Sequence, residues 1–213
     1  MSGLDGATQA LVAVAAALYD APEDEIARRF VAARAAGTSA VWLEELVLAA
    51  VLFVGFPRAL VAAAALRRVE PDAGAPGDAA DYSRWREWRA RGEETCRRIY
   101  GANYEKLRRN LAAMHPALDE WIVTEGYGRA ISRPGLDLLR RELCAIAMLV
   151  PQGVPRQLHS HLRGALNAGA APADVEATLD VVASKGMTGA RMEAARRLWG
   201  EMRTADVEYP TDV

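Results

Sequence analysis

The chain is poor in the side chains that most often carry catalysis and metal binding. It contains three histidines, two cysteines and, among 26 basic residues, only two lysines. Cys96 and Cys144 are 48 positions apart, a spacing that predicts neither a disulfide framework nor a local redox pair. The 26 basic residues are balanced by 28 acidic ones, so no electrostatic footprint for nucleic acid is present.

Long apolar runs are scarce as well. The longest ones, such as residues 46–56, are shorter than the roughly 18 apolar residues that a membrane span requires. The segment MSGLDGATQALVAVAAAL carries Asp5 and lacks the basic region that begins a signal peptide. We therefore expect a cytoplasmic protein with reduced thiols and no membrane partner.

Sustained strand-like alternation is also absent, whereas strong helix formers dominate the chain. This composition predicts an all-α protein, with prolines and small polar residues at helix starts and glycines at helix ends. A Pro/Gly/Ala/Asp linker is expected at 70–81 and a turn-rich segment at 126–136. The predicted helices cover residues 8–19, 22–37, 38–55, 57–69, 82–101, 104–114, 119–125, 136–150, 155–167, 173–183 and 190–202.

Two stretches of the chain resemble each other. GTSAVWLEEL begins at Gly37 and GAAPADVEAT at Gly169; each has a helix-ending glycine, a small or polar cap and a glutamate seven positions on, at Glu44 and Glu176. This similarity predicts two divergent tandem helical repeats. The alternative is that any two alanine-rich helical hairpins align equally well.

The repeats suggest an organisation in three parts. We expect a degenerate helical repeat at residues 1–69, a linker and charged helix at 70–94, and a second repeat at 95–213. The second repeat carries the candidate site.

Chemistry is concentrated in the helices predicted at 136–150 and 155–167. Glu142 falls inside the apolar surface of the first helix, where a carboxylate must be paired, neutralised or catalytic. His161 falls on the inward stripe of the second helix, and an antiparallel hairpin would bring it to Glu142. His159 falls with Arg156 and Arg163 on the charged side, so we expect it to be solvated.

Two interpretations of the Glu142–His161 pair follow from the residues alone. The pair is either a buried hydrogen bond that fixes the hairpin or a general acid–base pair in which the carboxylate tunes the imidazole. The third histidine, His115, precedes Pro116 at a helix end, where capping of the helix C-terminus is expected.

Three features around these residues resemble the carboxymuconolactone decarboxylase superfamily. They are RPGLDLLRREL, the spacing from Glu142 to His161, and QLHSHLRGALNAG. The superfamily is all-helical and includes the alkylhydroperoxidase D-type enzymes. The resemblance covers about residues 95–190 and extends weakly to LEELVLAAVLFVGFPRAL in the first half. It implies a helical bundle of two divergent alkylhydroperoxidase D-like repeats.

The sequence departs from the peroxidase branch of this superfamily. There, a glutamate is followed 12, 15 and 19 residues later by Cys, Cys and His, which form a redox dithiol and a proton relay. Counted from Glu142, these positions are Val154, Gln157 and His161. Because both cysteines are missing, the pattern resembles the decarboxylase branch more closely.

The resemblance implies cofactor-free loss of CO2, or a related proton transfer, from a small carboxylated lactone or similar acid. His161 would donate the proton and Glu142 would orient it, whereas Gln157 would contact the substrate. No metal or cofactor is expected. An arginine would hold the substrate carboxylate, and the candidates are Arg129, Arg133 and Arg163.

Two other functions remain open. The first is a thiol-dependent peroxidase or reductase, and the second is a non-catalytic relative that serves assembly only. Ala10 and Arg29 lie as far before Gly37 as Glu142 and His161 lie before Gly169. The first repeat therefore lacks both groups, and one site per chain is expected. The superfamily is commonly oligomeric, and with the apolar helices this predicts a homo-oligomer.

Overall fold

The chain is helical throughout the part that the structure describes. A computed structural model describes residues 3–72, 80–186 and 189–204, which contain helices and turns but no strand. The all-α fold predicted from the sequence is confirmed. Of the predicted linker, residues 73–79 lie outside the described residues, as does the segment 205–213 of the predicted second repeat.

The N-terminal half is built from three helices, namely α1 (Gly6–Ala17), α2 (Glu23–Ala35) and α3 (Ala40–Val69). Asp5 caps α1 by accepting a hydrogen bond from the Thr8 N–H. Gly37 follows α2 with φ 91°, a left-handed conformation that glycine adopts without strain. Gly55 interrupts α3 with φ 75°, two residues before Pro57. This break lies where the sequence predicted one helix to end and the next to begin.

Four further helices lead from the first half to the second. They are α4 (Trp85–Tyr100), α5 (Tyr104–Met114), α6 (Pro116–Trp121) and a π-helix (Ile122–Ile131). The predicted boundary between residues 94 and 95 falls inside α4. His115 accepts a hydrogen bond from the Ala117 N–H through Nδ1, so its side chain caps the start of α6 rather than the end of α5.

The segment predicted to be turn-rich is mostly helical, and that prediction was wrong for residues 126–131. Gly126 and Gly128 lie inside the π-helix, where α4 crosses it closely. A Cβ atom at Gly128 would lie 1.9 Å from the Trp88 carbonyl oxygen, and one at Gly92 would lie 2.0 Å from the Val123 carbonyl oxygen. Glycine is therefore required here for close approach of two backbones, not for a turn.

The C-terminal half is built from α7 (Leu138–Leu149), α8 (Pro155–Asn167), α9 (Pro172–Ser184) and α10 (Ala190–Thr204). Helices α1 and α7 have 12 residues each, and α2 and α8 have 13 each. Residue numbers at the starts of these pairs differ by 132 (138 − 6 and 155 − 23). The same offset separates Gly37 from Gly169, both of which have positive φ.

The two halves also bury the same positions. At many places along the helices, a residue in the first half and the residue 132 positions later are both almost fully buried. These pairs include Leu11 and Leu143, Val14 and Ile146, Leu18 and Val150, Ile26 and Leu158, Phe30 and Leu162, Ala33 and Ala165, and Leu43 and Val175. The similarity between the halves therefore extends from the sequence to packing.

The core consists of two hydrophobic clusters. The larger cluster contains side chains from α1 to α3 and from α7 to α10, so it joins the two halves. The smaller one lies between α4 and the π-helix and includes Ala49 of α3. Phe53 of α3 packs against both clusters, and the candidate site lies beside it.

By length and composition alone, helix α3 is long and apolar enough to cross a membrane. The expectation from the sequence that no membrane span is present depended on shorter apolar runs such as residues 46–56. One face of this helix buries Glu45, which is bound by Arg133 and Arg141 of the second half. The other face exposes a row of apolar side chains, namely Val41, Leu48, Leu52, Phe56 and Leu60.

Candidate functional site

His161 and Glu142 form a direct hydrogen bond across the α7–α8 hairpin. Nδ1 of His161 lies 2.7 Å from Oε2 of Glu142. The Glu142 side chain is 1% exposed and the His161 side chain 13%. The carboxylate occupies Nδ1 of the imidazole, so Nε2 is the ring nitrogen that is not engaged by Glu142. The contact predicted from the helix stripes is confirmed.

Gly164 provides the space for this carboxylate. A Cβ atom at this position would lie 2.6 Å from Oε2 of Glu142 and 3.1 Å from the Ile99 side chain. Because Gly164 is in the middle of α8, it weakens the helix locally. That cost is offset by room for a buried carboxylate next to α4.

Helix α3 covers the imidazole from the first half of the chain. The rings of Phe53 and His161 meet edge to face, with centroids 5.1 Å apart and an interplanar angle of 76°. Such a contact fixes the plane of the imidazole without using either ring nitrogen. The site is therefore formed by both halves, although its carboxylate and its imidazole both come from the second.

A pair of phenols lies on the buried side of the carboxylate. The hydroxyls of Tyr100 and Tyr127 are 2.8 Å apart, and both side chains are buried. Burial raises the pKa of Tyr127 well above its usual value, and the neighbouring Tyr100, Glu142 and Cys96 raise it further. The phenol is therefore neutral at physiological pH, and the charge of Glu142 contributes to keeping it so.

His159 is buried, so the prediction that it is solvated was wrong. It is 4% exposed, because α8 contacts α4 and α10 as well as α7 and has packing partners on more than one side. Burial lowers the pKa of His159, and the nearby charge of Arg163 lowers it further. This imidazole is a neutral core side chain.

The structure places the three candidate arginines in different surroundings. The Arg133 side chain is 1% exposed and its Nε donates to Oε2 of Glu45 at 3.0 Å. An enclosed guanidinium bound to a carboxylate has no surface left for a substrate, so we correct Arg133 to a structural role. Arg129 donates to Tyr82 and Glu125, and Arg163 is half-buried on α8.

Gln157 lies one turn before His161 on α8 and is exposed. Its side chain is accessible to a ligand that approaches the imidazole. A contact between Gln157 and a substrate stays a prediction, as do the substrate contacts of Arg129 and Arg163.

Neither cysteine has the environment of a nucleophilic thiol. Cys96 and Cys144 are both buried and free. Burial raises the pKa of each thiol to about 12, so a negligible fraction is thiolate at neutral pH. The described residues hold no group of three or more His, Cys, Asp or Glu side chains that could bind a metal ion.

Sequence reasoning missed four residues around the pair, namely Phe53, Gly164, Tyr100 and Tyr127. Gly164 was detectable, because an isolated glycine inside a helical pattern usually marks a packing or functional requirement. The other three reach the pair only through tertiary packing, for which the sequence holds no local signal.

The comparison with protein families agrees with this geometry. Residues 116–201 match the model of the carboxymuconolactone decarboxylase family, and both Glu142 and His161 lie within the matched segment. This segment of the chain is therefore similar to the family, in agreement with the resemblance noted in the sequence. No curated protein matches the chain.

Proposed function

We propose that the chain catalyses cofactor-free decarboxylation, or a related proton transfer, on a small carboxylated lactone or similar acid. The observation that carries this proposal is the 2.7 Å hydrogen bond between His161 and the buried Glu142. A histidine oriented by a carboxylate, with its second nitrogen free of the pair, is the usual arrangement of a general acid or base. The family match supports the same class of chemistry.

The proposed reaction begins with a substrate held beside Nε2 of His161. The bond between the substrate carbon and its carboxylate breaks, CO2 leaves, and the electron pair remains on that carbon. His161, as imidazolium, donates the Nε2 proton to the carbon and recovers a proton from solvent afterwards. Glu142 fixes the ring orientation and balances the imidazolium charge, while Gln157, Arg129 or Arg163 contacts the substrate.

A thiol-dependent peroxidase is the second candidate, and two observations oppose it. Val154 and Gln157 occupy the positions of the dithiol, and the two cysteines that do exist are buried with raised pKa values. A non-catalytic relative is the third candidate. It would use the Glu142–His161 pair only to hold the hairpin together.

The decisive experiment offers carboxymuconolactone to the purified protein in D2O and follows CO2 release. We expect one deuterium on the carbon that lost the carboxylate. His161→Gln should lower the rate about 10²- to 10⁴-fold, the usual contribution of a general acid or base. Ser160→Ala is the matched control at the position directly before His161 on α8, and it should retain the wild-type rate.

Two outcomes would reject this proposal in favour of the alternatives. Hydroperoxide reduction with a dithiol reductant, lost in Cys96→Ser or Cys144→Ser, would establish the peroxidase. Unchanged activity per folded molecule in His161→Gln, together with a large loss of stability, would assign the pair a structural role.

We also propose that the chain forms a homo-oligomer through the exposed apolar face of α3. Leu52, Phe56 and Leu60 are 43%, 65% and 64% exposed, and they lie on both sides of the Gly55 break in the helix that covers His161. Large apolar side chains exposed on a surface mark protein contacts. Light scattering of the wild type should give a multiple of 23.0 kDa, whereas Leu60→Glu should shift the mass towards the monomer. A monomeric wild type at micromolar concentration would contradict this.

A further inference from the structure

A cavity lies in the N-terminal half at the position that the 132-residue offset relates to the candidate site. It has a volume of about 380 Å³ and is lined by α1, α2 and the end of α9. Ala10 and Arg29 line it, and these are the residues 132 positions before Glu142 and His161. Lys185 lines it too and corresponds to Phe53, the residue that covers His161. The cavity therefore lies at the place in the first half that the repeat relates to the Glu142–His161 pair.

This cavity cannot carry out the same acid–base chemistry. Ala10 provides no carboxylate, and an arginine is permanently charged at physiological pH, so Arg29 neither donates nor accepts a proton. The first half has Ala32 at the position of Gly164, so it also lacks the glycine that makes room for the Glu142 carboxylate in the second half.

The walls of the cavity are mostly apolar and its charges are of one sign. Five alanines and Val181 line it, so a compact hydrocarbon body fits its surface. Arg29 and Lys185 are its only charged lining residues, and both are cationic. A ligand that satisfies both features is an acid with a small apolar body.

Both cations retain capacity to bind an anion. Arg29 pairs with Glu25 at 2.8 Å and donates to the Ala13 carbonyl oxygen at 3.3 Å, which leaves some of its five N–H donors for a ligand. Glu25 is shared with Arg28, so one carboxylate balances two guanidiniums. Lys185 is exposed and forms no ion pair within the described part of the chain.

Nearby acidic side chains do not neutralise this pair of cations. Glu176 and Asp180 line an adjoining depression that shares Ser184 with the cavity. Each is already paired, Glu176 with Arg203 and Asp180 with Arg196. Both of these carboxylates therefore have partners other than Arg29 and Lys185.

We propose that this cavity binds a small carboxylic acid with a compact apolar body and does not transform it. Arg29 and Lys185 hold the carboxylate, and the alanine-lined wall of α1 and α2 holds the hydrocarbon. The proposal does not depend on activity at His161, because none of the cavity residues belongs to the Glu142–His161 site.

Isothermal titration of the full-length protein with benzoate tests this, with benzylamine and inorganic phosphate as matched probes. We expect benzoate to bind and benzylamine, which has the same ring and the opposite charge, not to bind. Phosphate should bind more weakly because it has no apolar body. Binding of benzylamine or of phosphate as tight as that of benzoate would overturn the proposed ligand class.

Three variants locate the binding and keep the test independent of folding. Lys185→Gln changes an exposed side chain and should weaken benzoate about fivefold. Ala10→Leu places an isobutyl group in the cavity and should weaken benzoate roughly tenfold or more. Arg97→Gln removes an exposed charge on α4, which does not line the cavity, and should leave the affinity unchanged. Wild-type affinity in both Lys185→Gln and Ala10→Leu would overturn the assignment of the site.

Discussion

The two halves of the chain share their architecture but not their chemistry. The helices α1 and α2 have the same lengths as α7 and α8 at an offset of 132 residues, and many pairs of equivalent positions are buried alike. The halves differ at the pair itself, where Glu142, His161 and Gly164 correspond to Ala10, Arg29 and Ala32. Core packing thus specifies the helical unit, while three side chains on two helices decide whether it holds an acid–base pair.

The outer faces of the halves differ as well. Leu48 and Leu52 of α3 are exposed, whereas Asp180 and Ser184 occupy the equivalent positions of α9. Apolar surface is therefore exposed on the half without the acid–base pair. This asymmetry fits the two proposals above, in which the second half carries the catalytic pair and the first half carries the assembly surface.

The largest expected effect concerns a cluster that breaks the symmetry between the halves. Glu45 of α3 is fully buried between Arg133 and Arg141, while the equivalent position of the second half is Ala177. Glu45→Gln leaves two buried guanidiniums without a counter-ion. The free energy of unfolding should fall by about 3–5 kcal/mol, measured by urea denaturation.

Glu23→Gln is the control for that measurement, because Glu23 and its partner Arg68 are both largely exposed. It should cost less than about 1 kcal/mol. Equal losses in Glu45→Gln and Glu23→Gln would mean that the buried cluster does not join the halves energetically.

Exchanging the residues at positions 164 and 32 tests why the halves differ there. Gly164→Ala places a Cβ atom 2.6 Å from Oε2 of Glu142. We expect a loss of about 1–3 kcal/mol from overpacking and a changed NMR signal of the His161 imidazole. Ala32→Gly in the first half should cost only about 1 kcal/mol, the helix propensity of glycine, and leave that signal unchanged. An unperturbed imidazole in Gly164→Ala would contradict the role given to this glycine.

The two halves also differ in a buried titratable side chain, which the pH dependence of the free energy of unfolding can reveal. His159 is buried with a lowered pKa, and its equivalent in the first half is the buried, non-titrating Ala27. The unfolded chain takes up a proton on His159 near pH 6.5, whereas the folded chain takes it up only at lower pH. Stability should therefore fall as the pH drops below about 6.5, with a slope of up to about 1.4 kcal/mol per pH unit.

His159→Gln removes this contribution, so urea denaturation from pH 7 to pH 5.5 should give a shallower slope than in the wild type. Both proteins retain His115 and His161, so the difference between the two curves reports His159 alone. Parallel curves would mean that His159 is accessible to protons in the folded protein.

Local signals made much of the fold predictable. Residues 155–167 form α8 with the predicted bounds, because Pro155 suits the first helical position and Gly169 ends the segment. The stripe pattern also brought Glu142 and His161 together correctly. In both cases the information lies within one helix or one hairpin.

Errors arose where the deciding neighbour is distant in sequence. Gly128 is helical because Trp88 of α4 approaches its backbone, and Arg133 is buried because Glu45, 88 positions away, neutralises it. His159 was assigned to solvent because an amphipathic helix suggests one packing face, whereas α8 has several neighbours. The residue pattern within a helix does not reveal how many other helices pack against it.

The smallest expected effect concerns Cys144, whose equivalent in the first half is Val12. Both side chains are almost fully buried, and burial raises the pKa of the Cys144 thiol to about 12. If the thiol serves only as a small apolar side chain, Cys144→Val should change the free energy of unfolding by less than about 1.5 kcal/mol in urea. Activity on carboxymuconolactone should be unchanged, and neither protein should reduce hydroperoxides with a dithiol. A peroxide-dependent turnover that disappears in Cys144→Val would instead show that the second half uses a thiol, and the comparison between the halves would then need a redox difference as well as an acid–base one.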